Sequence, residues 1–191
     1  MQSSAPALVI ISGAPASGKS TLADRLSFDL RLPIVAKDEL KEALADAIGP
    51  PSDVPASMQL GQGAYAMLYL FAQRLLEART GLIVESNFQR GVSETDLRPL
   101  LAWSDPCLIH CSATPEVVQA RYAARHERGD RHPAHLDANR AAALADGLAA
   151  GHFDPLDLPI PTLIVDTTDG WHPAYEDIRD FAAFPRASLA R

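Results

Sequence analysis

Lysine is scarce in this chain of 191 residues: only Lys19, Lys37 and Lys41 occur, and the other cations are arginines. Positive charge as a whole is short, with 17 Lys and Arg against 24 Asp and Glu and a formal net charge of -7. Phosphate backbones are held by broad positive surfaces, so this balance excludes a general nucleic-acid or anionic-membrane binder. Any phosphate chemistry must draw on local cations. Cysteine is nearly absent as well. Cys107 and Cys111 fall four apart on a predicted strand, on one face but too distant to bond to each other, and are expected as reduced core residues. No apolar run approaches membrane-spanning length, and no charged, apolar-cored leader opens the chain. The expectation is a cytoplasmic enzyme with no membrane or nucleic-acid partner.

Apolar residues, by contrast, make up 47% of the chain, enough for a full core, and the length suggests one domain over residues 1–191. Its organising stretch is Gly13-Ala14-Pro15-Ala16-Ser17-Gly18-Lys19-Ser20, followed by Thr21. The spacing fits G-x-x-x-x-G-K-[ST], a phosphate-binding loop. Gly13 and Gly18 let successive backbone N–H groups turn inward towards an anion. Lys19 supplies a mobile charge for β and γ phosphates, and Ser20 offers a hydroxyl to Mg2+. The run Ala7-Leu8-Val9-Ile10-Ile11 before the loop reads as a strand. Leu22, Leu26 and Leu30 after it carry helical periodicity, so a helix dipole faces the same anion.

Leu32 to Ala36 reads as a second strand, and Asp38 stands just past it. Asp38 can cap the helix that follows. It can also accept a proton from a substrate hydroxyl, because ligands of open parallel sheets gather beyond the carboxyl ends of the strands. After a loop over residues 49–55, helical spacing runs from Ala56 to Arg79, with Tyr65 and Tyr69 expected in core packing. Leu82-Ile83-Val84 forms a third strand and ends in Glu85, placed to orient Mg2+ or to contact substrate. Asn87 and Arg90 follow as candidate substrate contacts. Asp96 is expected to open the next helix with Pro99 in its first turn, and residues 107–111 form a fourth strand on which His110 faces away from the cysteines. Thr114-Pro115 starts a helix that puts Arg121, Arg125 and Arg128 on one face. Like charges so placed repel unless an anion sits against them, although a solvated face with Glu127 and Asp130 near is the alternative. Gly129 and Pro133 break the helix, and Arg131 adds a further cation on a mobile segment. Helices over residues 136–150 and 174–184 flank a fifth strand at residues 163–165.

Over most of its length the chain resembles the small P-loop kinases grouped with chloramphenicol phosphotransferase and zeta-toxin-type kinases, and more distantly gluconate and adenylate kinases. The segments that carry the resemblance are GAPASGKST, AKDEL, LIVESNF, RYAARHERGDRHP and FDPLDLPIPTLIVDTTD. It implies a three-layer α/β P-loop NTPase fold, with a five-stranded parallel sheet in the order 2-3-1-4-5 and a helical lid over about 125–136. It implies an ATP- and Mg2+-dependent phosphotransferase acting on a hydroxyl of a small molecule. Asp38 would align with the general base, Arg121 and Arg125 with positions along adenine and phosphates, and Arg128 and Arg131 with the lid. A nucleotide-sugar acceptor, or a slow nucleotide-binding switch, are the alternatives.

Overall fold

A computed structural model describes residues 5–129, 131–136 and 141–183. Asp130, residues 137–140, Phe184 and the tail from Pro185 to Arg191 therefore lie outside the described residues. The strands are β1 (Ala7–Gly13), β2 (Ile34–Ala36), β3 (Leu82–Glu85), β4 (Asp105–Ser112) and β5 (Thr162–Asp166). All pairings are parallel, in the order β2-β3-β1-β4-β5. The helices are α1 (Lys19–Leu30), α2 (Lys37–Ile48), α3 (Val54–Glu77), α4 (Glu94–Leu101), α5 (Pro115–Glu127), α6 (Ala141–Ala149) and α7 (Tyr175–Ala183).

The period of two along a strand divides the core between two faces. Leu8 and Ile10 of β1 join Leu82, Val84 and Leu108 beneath Leu68 and Leu76 of α3 and Leu97 and Leu100 of α4. Val9 and Ile11 join Ile83, Cys107, Ile109 and Cys111 against Leu22 and Leu26 of α1 and Ile178 and Phe181 of α7. Each fully buried aliphatic side chain contributes about 1.5–3 kcal/mol, so the central strands β1, β3 and β4 dominate stability. Both cysteines are buried and free. On β4 His110 accepts or donates a hydrogen bond with Ser12 Oγ at 2.9 Å, and burial, then Lys19, pulls its pKa down to about 4.

Three local expectations need correcting. Asp38 is not a helix cap: the cap position of α2 is Ala36, with no side-chain cap, and Asp38 sits in the first turn. The backbone enters α2 straight from β2, so no residue stands between strand and helix to serve as a polar cap. Helix α4 begins at Glu94, before Asp96, which places Pro99 inside the helix and beyond its first turn. The Glu94 carboxylate accepts the Asp157 N–H at 3.0 Å, and that tertiary bond fixes the earlier start. Helix α3 starts two residues sooner than its apolar spacing suggests, because Asp53 caps it by accepting the Ala56 N–H at 2.8 Å.

Candidate functional site

Strand β1 delivers the chain to Gly13, whose φ is 138°. A Cβ there would meet the Cys111 carbonyl oxygen at 2.1 Å, so only glycine allows β1 to leave the sheet so close to β4. The loop closes on itself through the Ser17 N–H to the Ala14 carbonyl at 3.2 Å, and Gly18, at φ 84°, opens α1. Lys19 is the first residue of that helix and only 5% exposed. Its ammonium donates to the Ala14 carbonyl at 2.7 Å. Burial pulls the Lys19 pKa below the ordinary lysine value, against the opposing pull of Glu85. The Ser20 hydroxyl donates to Glu85 Oε2 at 3.2 Å across the gap between α1 and the end of β3. Burial raises the Glu85 pKa, while Lys19 and Ser20 work against the rise.

These groups open into a cavity of about 480 Å³. Pro15, Ala16, Gly18, Lys19, Ser20 and Thr21 form its floor. Arg121, Arg125, Arg128 and Arg131 form one wall, Asp38 and Glu85 another, and Asn87 reaches in from the loop after β3. Gly13, Ala14 and Ser17 shape the loop from behind without lining the space. Arg90 turns elsewhere, its N–H to the His152 carbonyl at 3.0 Å and its guanidinium 3.9 Å from Asp154. Tyr65 and Tyr69 stack at 6.0 Å, and the Tyr65 hydroxyl lies 2.8 Å from Ser86 Oγ.

The arginines divide by partner. Arg121 donates to the Thr167 carbonyl at 2.7 Å and the Thr168 carbonyl at 3.1 Å. Arg131 is paired across the cavity, donating to Asp38 Oδ2 at 3.0 Å and lying 4.0 Å from Glu42. Lys37 takes the other oxygen of Asp38 at 3.0 Å. Burial would raise the Asp38 pKa, but Lys37 and Arg131 outweigh it and hold the carboxyl well below the usual carboxylate range. Around Arg131, His132 lies 3.1 Å from Asp46 and His135 lies 2.9 Å from Glu42. The acids of α2 at i, i+4 and i+8 thus meet the segment 131–135 along one stripe. Beneath it, the Ser57 hydroxyl donates to the Ala134 carbonyl at 3.1 Å and accepts from buried Lys41 at 2.6 Å.

Sequence reasoning missed Lys37, Glu42 and Thr167 as members of this arrangement. Thr167 follows β5 directly, within reach of the carbonyls of Ser17 at 2.9 Å and Ser112 at 3.0 Å. The rule that ligands gather beyond strand ends, applied to β5 as it was to β2 and β3, would have found it. Glu42 stands one helical turn after Asp38, a spacing that shares a face.

Chemically, a floor at the N-terminus of α1 and a buried ammonium beside four guanidinium groups can hold a polyanion. A metal fits as well. Among the described residues no cluster of three or more His, Cys, Asp or Glu could bind one alone. Ser20 and Glu85 instead offer two oxygen ligands in one place, which suits Mg2+, a cation that takes its other ligands from phosphate and water.

A family model described as an AAA domain matches residues 8–149. No curated protein matches the chain. Among solved structures, a candidate kinase from Chloroflexus aurantiacus shares 35% identity, covering 94% of this chain and 97% of that one, with a TM-score of 0.84. A gluconokinase from Sinorhizobium meliloti shares the fold at 17% identity, with 98% and 95% covered and a TM-score of 0.57. The APS kinase CysC of Mycobacterium tuberculosis, solved with AMPPNP and APS, does so at 15% identity, with 95% and 97% covered and a TM-score of 0.56. With its phosphate-loop geometry, its 2-3-1-4-5 sheet and a match over well over half its length, the chain belongs to this AAA-domain family and has the fold of the small P-loop kinases.

Proposed function

We propose that the protein is an ATP-dependent phosphotransferase that moves the γ-phosphoryl group to a hydroxyl of a small molecule. The observation that carries this reading is the meeting of Lys19, Ser20 and Asp38 in one cavity, with arginines on the facing wall. Kinases among its structural neighbours, one of them solved with AMPPNP and APS, support it.

In this reading the backbone N–H groups of Gly18 to Ser20 and the Lys19 ammonium hold the β and γ phosphates. Ser20 and Glu85 would hold Mg2+, which when bound neutralises charge on the bridging oxygens. Arg121 and Arg125 lie along the nucleotide, and Arg128 and Arg131 stabilise the charge on the group in transfer. The acceptor oxygen forms its bond to the γ phosphorus as the bond to the β–γ bridging oxygen breaks, and ADP leaves. Asp38 accepts the hydrogen bond of the acceptor hydroxyl and takes its proton late. A carboxylate held so strongly in its charged form is a weak base, and it suits a loose transition state in which orientation matters more than early deprotonation. The segment of about 125–136 acts as the lid, with Arg131 as the residue that joins it to Asp38.

Two measurements test the reading. Lys19→Met keeps the buried stem and removes the charge, and calorimetry with magnesium-AMPPNP should show affinity about tenfold to a hundredfold weaker than wild type. An ATP-consumption screen against alcohols, sugars, nucleosides and antibiotics should then find an acceptor. Unchanged AMPPNP affinity in the variant would move the nucleotide to another place in the molecule.

A further inference from the structure

Lys37 does not line the cavity, yet it touches the carboxylate at its centre. It opens α2, where the helix dipole disfavours a cation, and it stands next in sequence to Asp38, although neighbouring side chains on a helix normally diverge. A solvated lysine would turn outward from such a position. Here the side chain is 15% exposed and folds inward. Its ammonium lies 5.6 Å from the centre of the Tyr65 ring and 3.0 Å from Asp38 Oδ1. Tyr65 is itself fixed, by Ser86 at its hydroxyl and by Tyr69 at its ring. A rigid chain of contacts therefore runs from the exit of β3 through α3 to one oxygen of Asp38.

We propose that Lys37 is a positioning residue for phosphoryl transfer: it holds Asp38 Oδ1 from behind the cavity while Arg131 holds Oδ2 from the lid side. A carboxylate has about four lone-pair sites, and this clamp uses two, leaving the others in a fixed direction for the acceptor hydroxyl. Without Lys37 the carboxylate can rotate towards Arg131 and turn away from the acceptor. The titratable groups around Asp38 are Lys37 and Glu42 on α2, Arg131 and His135 on the segment after α5, Lys19 on α1, Glu85 on β3 and Tyr65 on α3. Of these, Lys37 and Arg131 donate directly to the carboxylate.

The inference rests on the phosphotransferase reading, and its test separates the two. The probe reaction is turnover of magnesium-ATP with water as acceptor. Lys37→Met keeps the stem against Tyr65 and should lower kcat by about tenfold to a hundredfold, the scale of a misplaced catalytic group, with KM for ATP unchanged. Lys37→Arg should recover most of the loss. In parallel, carbon-13 NMR of the Asp38 carboxyl, assigned with Asp38→Asn, should show it titrating at higher pH in Lys37→Met than in wild type. Wild-type kcat in Lys37→Met, or identical carboxyl titrations, would overturn the role. A wild-type protein that binds no magnesium-AMPPNP would sink the parent reading instead, and the carboxyl titration would still decide whether Lys37 holds Asp38.

Discussion

The two sides of the cavity are built from different materials. On the phosphate side, β1, the loop from Gly13 to Gly18 and α1 present mostly backbone, fixed by a sheet whose central strands are buried on both faces. On the opposite side, α2 and the segment 131–135 present side chains, held by ion pairs among Lys37, Asp38, Glu42 and Arg131 and by hydrogen bonds between His132 and Asp46 and between His135 and Glu42. Backbone geometry tolerates almost no change, because a displaced N–H cannot be replaced by another residue type. Side-chain pairs can be exchanged or re-registered at modest cost. The first side therefore suits a ligand portion that never varies, and the second suits one that does.

Gly13→Ala should break this comparison most sharply. The added Cβ would meet the Cys111 carbonyl at 2.1 Å, in a conformation that residues with side chains rarely adopt. Strain of that kind is of the order of 1–3 kcal/mol for the backbone alone, and the clash adds to it. We expect loss of detectable AMPPNP binding by calorimetry and a urea midpoint well below wild type. Full binding would mean that the phosphate side is as adaptable as the other.

Asp38→Asn acts on the side-chain half alone. Lys37 and Arg131 would lose their charged partner while the floor stays intact. Transfer should fall by about 10²-fold or more, the range for removing a general base, with AMPPNP affinity within a few-fold of wild type. A parallel drop in both quantities would show that the two sides are not independent.

The smallest effect concerns two histidines, one on each side. His110 lies beneath the phosphate loop with its pKa pulled down to about 4 by burial and then Lys19. His135 is pulled down to about 3, by burial first and then by Arg131, Lys41 and Lys37 against the pull of Asp38. Both folded values lie below the unfolded value of about 6.5, so the unfolded chain binds more protons as pH falls through that value. Stability should be full above it and decline on acidification, by at most about 1.4 kcal/mol per pH unit for each histidine. Urea unfolding at pH 7.5, 6 and 5 should show that decline. His135→Gln should remove about half of it, and a decline unchanged by the substitution would make the lid-side contribution negligible.

The strands and the phosphate side were legible in the sequence for a shared reason, since both depend on local pattern, whereas the order of the strands came only with the resemblance to the small P-loop kinases. The apolar runs at residues 7–11 and 82–84 mark strands buried on both faces, and the glycine spacing marks the loop between strand and helix. Lys37, Asp38 and Arg131 meet across more than ninety residues of chain, and no periodicity records such a meeting. Adjacency of Lys37 and Asp38 even argued against contact, since α-helical neighbours diverge. The reading of Asp38 as a cap failed because its place after a strand was visible, while the absence of any linking residue before α2 was not.

Thr167 gives the exposed edge of the sheet an unexpected kind of importance. Most of β5 is open to solvent, and a survey of substitutions along it should find wide tolerance. One residue further on, a single hydroxyl lies within bonding distance of Ser17 in the phosphate loop, Ser112 at the end of β4 and Arg121 on α5. Serine can keep that hydroxyl, whereas valine, of nearly the same shape, cannot. In a population of functional variants the sequence around this position would drift while the hydroxyl persisted, so its signature would be a conserved atom and not a conserved residue.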